Sequence, residues 1–219
     1  MLTLCIQWFS WIASIGITEP GAGSDVVNIQ TKAILEDGHY VVNGSKTFIT
    51  NGFYGDFVVA VVKTNPELGA AGVSLLVIDL ESEGITRTKL KKLGWHASDT
   101  AELHFDDVKV PVENIVGDEG QGFYYLMGGL QVERLTASVA GFASCEWALQ
   151  YSMQYMSERE AFGRSINKFQ VLRHRIAQLA SEVEALKQFV YHCCREHAEG
   201  KYIVKECSMA KLLATELAE

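Results

Sequence analysis

The spacing of apolar residues changes abruptly near Gly117, and this change limits the fold more than any other feature of the sequence. Before Gly117, short apolar runs alternate with turn-forming residues, a pattern typical of an antiparallel sheet. After it, apolar residues recur at helical spacing through long stretches that contain no proline. Strands followed by helices predict an α+β chain with segregated layers. We therefore expect an antiparallel β-barrel or sandwich followed by antiparallel helices of a bundle.

The first half of the chain holds six or more predicted strands. Asp37-Gly38 and Asn43-Gly44 are pairs of residues that tolerate positive φ, so each predicts a tight turn between strands. The predicted strands cover Val26–Leu35, His39–Val42, Phe57–Val62, Val73–Leu80, Ile85–Leu90, Ala101–Phe105 and Val108–Val110.

The second half holds three predicted helices. Gly128 and Gly129 form a weak point near the start of the first helix, and Asn167 is placed to cap the second. The helices are predicted over residues 120–156, 167–200 and 203–219, with a polar break over 157–166.

The overall charge and the cysteines narrow the class of protein. A net charge of −8 at pH 7 argues against nucleic acid or an anionic membrane surface as the main partner. The five cysteines form no framework of the kind that secreted proteins use, which favours a reducing compartment. His192, Cys193, Cys194 and His197 are close in sequence, but no second cluster offers paired metal-ligand spacing, so we predict no metal site.

The stretch Gly16–Asp25, GITEPGAGSD, combines three glycines with hydroxyl and acidic side chains. Consecutive amides around Gly21–Ser24 can form a concave array of donors for a phosphate or the edge of a flavin. The hydroxyls of Thr18 and Ser24 can both donate and accept. The stretch is not a dinucleotide fingerprint, because Val26 stands where the third glycine is needed. Its composition by itself favours an ordinary surface loop.

Two further motifs follow, KTFITNG at Lys46–Gly52 and REAFGR at Arg159–Arg164. With these three motifs in this order, the chain resembles the acyl-CoA dehydrogenases, a family of FAD-containing flavoproteins. The resemblance extends from about Ile15 to Glu219. Family members usually begin with a further helical domain and end with further helices. The resemblance therefore implies a fragment that lacks the N-terminal helical domain and the C-terminal end.

The resemblance also implies a division into three parts. Residues 1–14 are an atypical apolar segment, residues 15–117 a β-domain with the flavin motifs, and residues 118–219 a truncated helical domain. Met1–Ile17 contains no charged side chain and approaches the length of a membrane span or a signal sequence. It has no basic residue at its start and no clear cleavage site. We interpret it as an altered start whose last residues, Ala13–Ile17, form a family strand, with targeting or membrane insertion as the alternative.

Two groups of FAD-binding residues are implied by the resemblance. Phe48 would lie against the flavin ring and Thr50 near flavin N5, where a preorganised donor stabilises developing negative charge. Arg159 would bind the flavin pyrophosphate of a neighbouring subunit, for which its planar fork is suited. Without the resemblance, Phe48 reads as a core residue and Arg159 as a solvated charge. The implied FAD-binding residues are Ile17, Thr18, Gly23, Ser24, Phe48, Ile49, Thr50, Arg159, Phe162 and Gln170.

Glu133, in the segment LQVERL, is the predicted catalytic base. Most family members carry this glutamate in a loop near the C-terminus, whereas the isovaleryl-CoA and long-chain acyl-CoA dehydrogenases carry it on this helix in a similar context. A carboxylate enclosed by Tyr124, Leu130, Leu135 and an acyl chain would be desolvated and therefore more basic. The alternative is a surface glutamate beside Arg134. The resemblance implies substrate binding by Ser24, Ser98, Gln131, Val132 and Arg134.

The activity implied by the resemblance is FAD-dependent oxidation of an acyl-CoA to its trans-2-enoyl-CoA. Electrons would pass to an electron-transfer flavoprotein, and the protein would form a homo-oligomer in a bacterial cytoplasm or a mitochondrial matrix. Two alternatives remain open. One is a non-catalytic fragment or paralogue that binds FAD weakly or not at all. The other is a flavin oxidase or monooxygenase on the same fold, over which LQVERL favours the dehydrogenase.

Overall fold

The structure, a computed structural model, describes residues 11–219. These residues form two compact units that divide between Leu126 and Met127. Most of the apolar stretch Met1–Ile17 lies outside the described residues, but the strand predicted at its end is present at Ala13–Gly16. Within residues 11–219 no helix is both long enough and apolar enough to cross a bilayer.

The first unit contains one sheet of seven strands. They are β1 (Ala13–Gly16), β2 (Lys32–Glu36), β3 (His39–Thr50), β4 (Phe57–Lys63), β5 (Val73–Asp79), β6 (Ile85–Lys89) and β7 (Thr100–Pro111). The order is β1-β4-β2-β3-β7-β6, and β5 also pairs with β4. Most pairs are antiparallel, but β1 runs parallel to β4, so the sheet is mixed rather than purely antiparallel. The direction of β1 is not set by a tight turn, because two strands separate it from β4.

The turn between β2 and β3 confirms the Asp37-Gly38 prediction. Glu36 pairs with His39, so the connection has two residues. Asp37 has φ 47° and Gly38 has φ 76°. Two central residues with positive φ form the type of turn whose twist matches that of the flanking strands.

The turn predicted at Asn43-Gly44 is wrong, because β3 continues through both residues. The irregularity there is a bulge, in which the side chain of Asn43 donates to Asp107 Oδ1 at 2.8 Å and accepts from the Asp107 N–H at 3.0 Å. Gly44 is required for a different reason. Its φ is +146°, and a Cβ at this position would lie 2.6 Å from the Cα of Thr31. The glycine therefore marks a close approach of two backbone segments and not the end of a strand.

The strand predicted over Val26–Leu35 begins later than expected. Val26–Asn28 forms a single 3-10 turn, and β2 starts only at Lys32. The amides of Gln30 and Thr31 donate to the carboxylate of Glu19. A long-range side-chain contact, which the local pattern does not show, therefore occupies backbone groups just before the strand. The segments predicted over 101–105 and 108–110 are one strand, β7.

Fifteen buried apolar residues form the core of the sheet unit. In β7 every second residue is buried from Ala101 to Phe105, and the alternation then shifts at the bulge to Val108 and Val110. This spacing follows from the two-residue period of a strand. β4 and β5 are buried almost throughout, and the side chains at alternate positions of each belong to this core, several with no exposed surface.

The second half confirms the three predicted helices, here α1 (Gly122–Glu158), α2 (Gln170–Ala198) and α3 (Val204–Ala218). α1 runs through Gly128 and Gly129 without a break. The predicted cap is wrong. Asn167 lies in a 3-10 turn before α2, where its Oδ1 accepts from the Ser165 hydroxyl at 2.7 Å, and the residue that precedes α2 is Phe169.

The core of the helical unit is smaller, with nine buried residues. Five of them, including Cys193 and Cys207, have no exposed surface. Burial, together with the nearby thiols of Cys207 and Cys194, raises the pKa of Cys193 to about 11. A thiol that stays protonated is a poor nucleophile and metal ligand, so this cysteine acts as a packing residue.

Candidate functional site

The first two motifs meet in the sheet unit. Between Lys46 and Ile49, β3 has one residue more than β7, which forms a second bulge. The ladder between the two strands is interrupted there, and the Thr47 N–H donates instead to the carbonyl of Thr18 at 2.9 Å. The loop that contains GITEPGAGSD is thereby attached to the strand that carries KTFITNG.

The bulge places Phe48 at the surface. Its φ is +60°, a conformation that is uncommon for a residue with a bulky side chain. The side chain is 69% exposed, so Phe48 is not the core residue that its apolar side chain alone would suggest. Thr50, two residues further along β3, is also exposed, whereas Ile49 between them is buried in the sheet core. Ile49 can therefore reach a ligand only through its backbone.

The residues of the GITEPGAGSD loop become more exposed to solvent towards its end. Ile17 and Thr18 are half-buried, while Gly23 and Ser24 are exposed. A backbone pair between Glu19 and Ala22 closes the loop, with N–H···O distances of 2.9 and 3.2 Å. The loop is thus a stable turn whose tip faces solvent.

A buried ion pair connects the same two motifs, and sequence reasoning missed it. Lys46 Nζ lies 2.8 Å from Glu19 Oε1, with side-chain exposures of 0% and 4%. Lys46 also donates to the carbonyl of Ile17 at 3.1 Å. The other hydrogen bonds of the Glu19 carboxylate come from the Gln30 and Thr31 amides. The one signal in the sequence is that the two motifs contain charged residues of opposite sign, Glu19 and Lys46.

The pair is ionised at neutral pH. Burial lowers the pKa of Lys46 to about 8, although the hydrogen bond and charge of Glu19 act in the opposite direction. Burial acts to raise the pKa of Glu19, but the hydrogen bond and charge of Lys46, with the Thr31 and Gln30 contacts, hold it below its ordinary value. Each charge therefore keeps the other ionised in a site without water contact.

Ser98 lies in a loop that is joined to the end of β3. The next residue, Asp99, is buried, and its carboxylate accepts the N–H of Phe53 at 2.7 Å. The Asp99 carbonyl accepts the N–H of Asn51 at 3.4 Å. Ser98 itself is half-buried, and its carbonyl accepts from Lys92 Nζ at 2.6 Å. The structure thus brings the Ser98 loop next to the KTFITNG motif.

The predicted base lies on α1 in the helical unit. Glu133 and Val132 are exposed, whereas Gln131 and Arg134 are half-buried. Four consecutive helical residues point in directions about 100° apart, so they do not share one face. The next residue, Leu135, is 6% exposed and belongs to the helical core. In the described chain, the Glu133 carboxylate therefore faces solvent.

The third motif forms a short hairpin between α1 and α2, with strands β8 (Glu160–Ala161) and β9 (Arg164–Ser165). Phe162 is at its tip, with φ 52° and 94% exposure, and contacts the ring of Phe169 edge-on at 6.2 Å between centroids. Arg159 and Gln170, which flank the hairpin, are both exposed. These three predicted FAD residues are therefore close to one another along the chain and accessible.

A cavity of the helical unit does not coincide with Glu133. It has a volume of about 670 Å³ and is lined mainly by apolar residues of α1, α2 and α3, beginning at Ala143 on α1. Its lining carries none of the predicted site residues. The exposed motif residues are therefore better evidence for a site than this cavity.

Comparison with known proteins agrees with the arrangement of the motifs. Residues 14–108 match the model of the acyl-CoA dehydrogenase middle domain, and residues 120–219 match that of the C-terminal domain. The mouse (Mus musculus) long-chain specific acyl-CoA dehydrogenase is 38% identical over 209 residues, which are 94% of this chain and 49% of the mouse protein. The chain therefore spans about half the length of this curated relative.

Two solved structures extend the comparison. An acyl-CoA dehydrogenase from Geobacillus kaustophilus is 44% identical, with a TM-score of 0.93 over 100% of this chain and 60% of that one. The structure of PigA with FAD and proline is 28% identical, with a TM-score of 0.92 over 100% of this chain and 59% of that one. The two domain models together match nearly the whole described chain, and they name the same family as the relative of 38% identity. The chain belongs to the acyl-CoA dehydrogenase family.

Proposed function

We propose that this chain forms the flavin-binding and base-bearing part of an FAD-dependent acyl-CoA dehydrogenase. The observation that carries the proposal is the attachment of the first motif to the second, which leaves Phe48 and Thr50 exposed on one strand beside Thr18. An exposed aromatic ring at positive φ and nearby hydroxyls form a surface with the chemistry that a flavin ring requires. Every buried side-chain nitrogen or oxygen of the described residues has a hydrogen-bond partner, so the buried side chains beneath this surface need no ligand to satisfy them.

The residues that would hold FAD fall into two sets. In the sheet unit, Phe48 would pack against the ring, while Thr18, Ser24 and Thr50 would donate to its polar edge. Bound FAD would supply the acceptor for the two electrons that leave the substrate as a hydride. The Thr50 hydroxyl would donate to the ring and would stabilise negative charge there.

Arg159, Phe162 and Gln170 would bind the FAD of a second copy of the chain. Along α1 the rise is 1.5 Å per residue, so Glu133 and the Arg159 hairpin are roughly 38 Å apart. A base and a pyrophosphate ligand this far apart along the chain cannot easily serve one flavin. The distance therefore supports a homo-oligomer in which each hairpin completes the site of its neighbour.

Glu133 would accept the α-proton of the acyl-CoA while the β-hydrogen leaves as hydride. Bound substrate would cover the carboxylate that is now exposed and would exclude water from the proton transfer. Arg134, Gln131 and Ser98 would contact the CoA ester together with Val132 and Ser24. The product would be the trans-2-enoyl-CoA, and the electrons would pass on to an electron-transfer flavoprotein.

The cofactor assignment is tested by titrating the chain with FAD and following flavin fluorescence. Phe48→Ala is expected to raise the Kd about tenfold, because it removes an aromatic face. Tyr54→Ala is the matched control, since Tyr54 is another exposed aromatic residue of the same unit. An FAD affinity that falls equally in both variants, or a native chain that does not bind FAD, would contradict the assignment and favour the non-catalytic alternative.

The catalytic assignment is tested by stopped-flow reduction of the flavin with acyl-CoA. Glu133→Gln is expected to slow reduction by ~10²–10⁴-fold and to leave CoA-ester binding nearly unchanged, because a positioned base contributes this much. Glu182→Gln, which changes an exposed acid on α2, should leave the rate unchanged. Reduction of the Glu133→Gln flavin at the native rate would place the base elsewhere.

A further inference from the structure

The buried pair Glu19–Lys46 has no role in the chemistry proposed above, yet it lies between the two motifs that would form the flavin surface. Lys46 comes immediately before the bulge that exposes Phe48, and Glu19 follows Thr18. Lys46 Nζ donates to Glu19 Oε1 at 2.8 Å and to the Ile17 carbonyl at 3.1 Å. One ammonium group thus holds two points of the loop.

Glu19 extends the connection to a third segment. Its second oxygen accepts the N–H of Gln30 at 2.5 Å, and Oε1 also accepts that of Thr31 at 3.0 Å. The loop, the bulge and the segment before β2 therefore converge on one carboxylate. The backbone bond from the Thr47 N–H to the Thr18 carbonyl lies directly beside it.

Stability alone is a weak reason for this arrangement. Removing two charges from water is costly, and replacing a buried ion pair by apolar residues of similar size is often neutral or stabilising. Such a pair does fix the relative positions of the segments that carry it, because each buried charge must bond to specific protein groups in place of water. The hydrogen bonds named above specify one position of the loop relative to β3.

We propose that Glu19 and Lys46 are positioning residues for FAD: their pair holds the GITEPGAGSD loop against the β3 bulge, so that Thr18, Phe48 and Thr50 form the flavin surface before the cofactor arrives. This inference rests on the proposed function. Neither side chain would touch the flavin itself, since both are buried. A preformed surface binds more tightly because no ordering free energy is spent at the moment of binding.

The test uses the double variant Glu19→Gln/Lys46→Met in the full chain, because removing one charge alone leaves the other buried and unpaired. The double variant is expected to keep its circular dichroism spectrum. The matched control is Glu146→Gln/Lys187→Met, which removes a pair at the surface of the helical unit. If the double variant does not fold, Glu19→Asp keeps both charges but shortens the carboxylate arm by one methylene, and the same readouts then apply to it.

Two readouts decide the result. Hydrogen exchange of the Thr47 amide should be at least about tenfold faster in the double variant, while the Val61 amide, in the ladder between β4 and β5, should be unaffected. The Kd for FAD should rise at least about tenfold. Unchanged protection of the Thr47 amide, or an unchanged FAD affinity, would overturn this inference but not the proposed function. Absence of FAD binding by the native chain would overturn the proposed function and the inference with it.

A pH profile separates positioning from simple loss of packing. Deprotonation of Lys46, whose pKa is about 8, should raise the native Kd for FAD about fivefold between pH 7 and pH 9. The double variant should show a flat profile. Glu19 is the charged partner of Lys46, and Glu102 and His104, both on β7, line a small cavity that Lys46 also borders. The response should therefore survive in Glu102→Gln and His104→Gln, and its loss there would contradict the assignment to Lys46.

Discussion

The two units of the chain differ in how completely they bury their apolar residues. The sheet unit encloses fifteen core residues, all at most 4% exposed, by alternation along its strands. The helical unit encloses nine, and α1 also exposes large side chains, among them Trp147 at 67% and Tyr151 at 59%. Apolar residues lie all around α1 rather than on one stripe. A helix with apolar residues on every side is suited to burial by further protein, whereas the sheet closes its own core.

The difference also extends to charged groups. The sheet unit contains a buried ion pair, Glu19–Lys46, at a motif. The pairs of the helical unit, Lys187–Glu146 and Lys201 with its two glutamates, lie at the surface. Surface pairs contribute little to stability. Rigid geometry at the proposed site is therefore a property of the sheet unit.

The largest expected effect compares the two cores. Phe105→Ala removes a ring that is 1% exposed and should lower the free energy of unfolding by about 3–5 kcal/mol. Leu186→Ala should lower the free energy of unfolding by only about 2 kcal/mol, near the lower end for buried leucines, because Leu186 borders an open groove that can relax. Urea unfolding measures both. Equal costs would show that the helical core is as tightly closed as that of the sheet.

The next effect compares two glycines with positive φ. Gly44→Ala should destabilise the chain by roughly 2–4 kcal/mol for two reasons. The new Cβ would clash with the Thr31 backbone, and the positive φ would strain an alanine. Gly200→Ala should cost only ~1 kcal/mol, since no atom lies within 4 Å of its Cβ position. Thermal unfolding of the two variants distinguishes them. A similar loss in both would mean that φ alone, and not the close approach, requires Gly44.

A smaller effect concerns acid stability. The folded-state pKa of Glu19 is below its ordinary value of 4.5, so the stability it contributes is complete above that value and is lost as pH falls through the lowered pKa. Native chain should therefore lose more stability below pH 4.5 than Glu19→Gln/Lys46→Met. Unfolding curves between pH 3 and pH 6 test this. The Glu146→Gln/Lys187→Met control should follow the native curve.

The smallest effect on stability is expected at the exposed aromatic pair of α1. Trp147 and Tyr151 stack at 5.4 Å between ring centroids, on the surface of the helix. Changing both to Ser should alter the free energy of unfolding by no more than about 0.5 kcal/mol. It should, however, reduce self-association and the binding of a fluorescent apolar dye, because it shrinks an exposed apolar patch. Phe48→Ser should change dye binding much less, and an equal change would remove the contrast between the units.

Local chemistry in the sequence determined the element types. The Asp37-Gly38 turn, the three helices and most strands follow from residues close together in the chain, since φ preference and apolar period act locally. The order of the three motifs sufficed to indicate the family, and the domain models bear it out. The catalytic and binding residues inferred from those motifs stay predictions, although the structure places Phe48 and Thr50 at an accessible surface.

Tertiary structure alone decided the features that depend on distant partners. Asn43-Gly44 has the composition of a turn, but the approach of Thr31 and the bonds to Asp107 make it part of a continuous strand. Lys46 appears in the sequence as a charged residue at the start of the KTFITNG motif, and only the fold shows that Glu19 neutralises it in the interior. A buried charge requires its partner to be brought from far along the chain, and no local pattern records which partner that is.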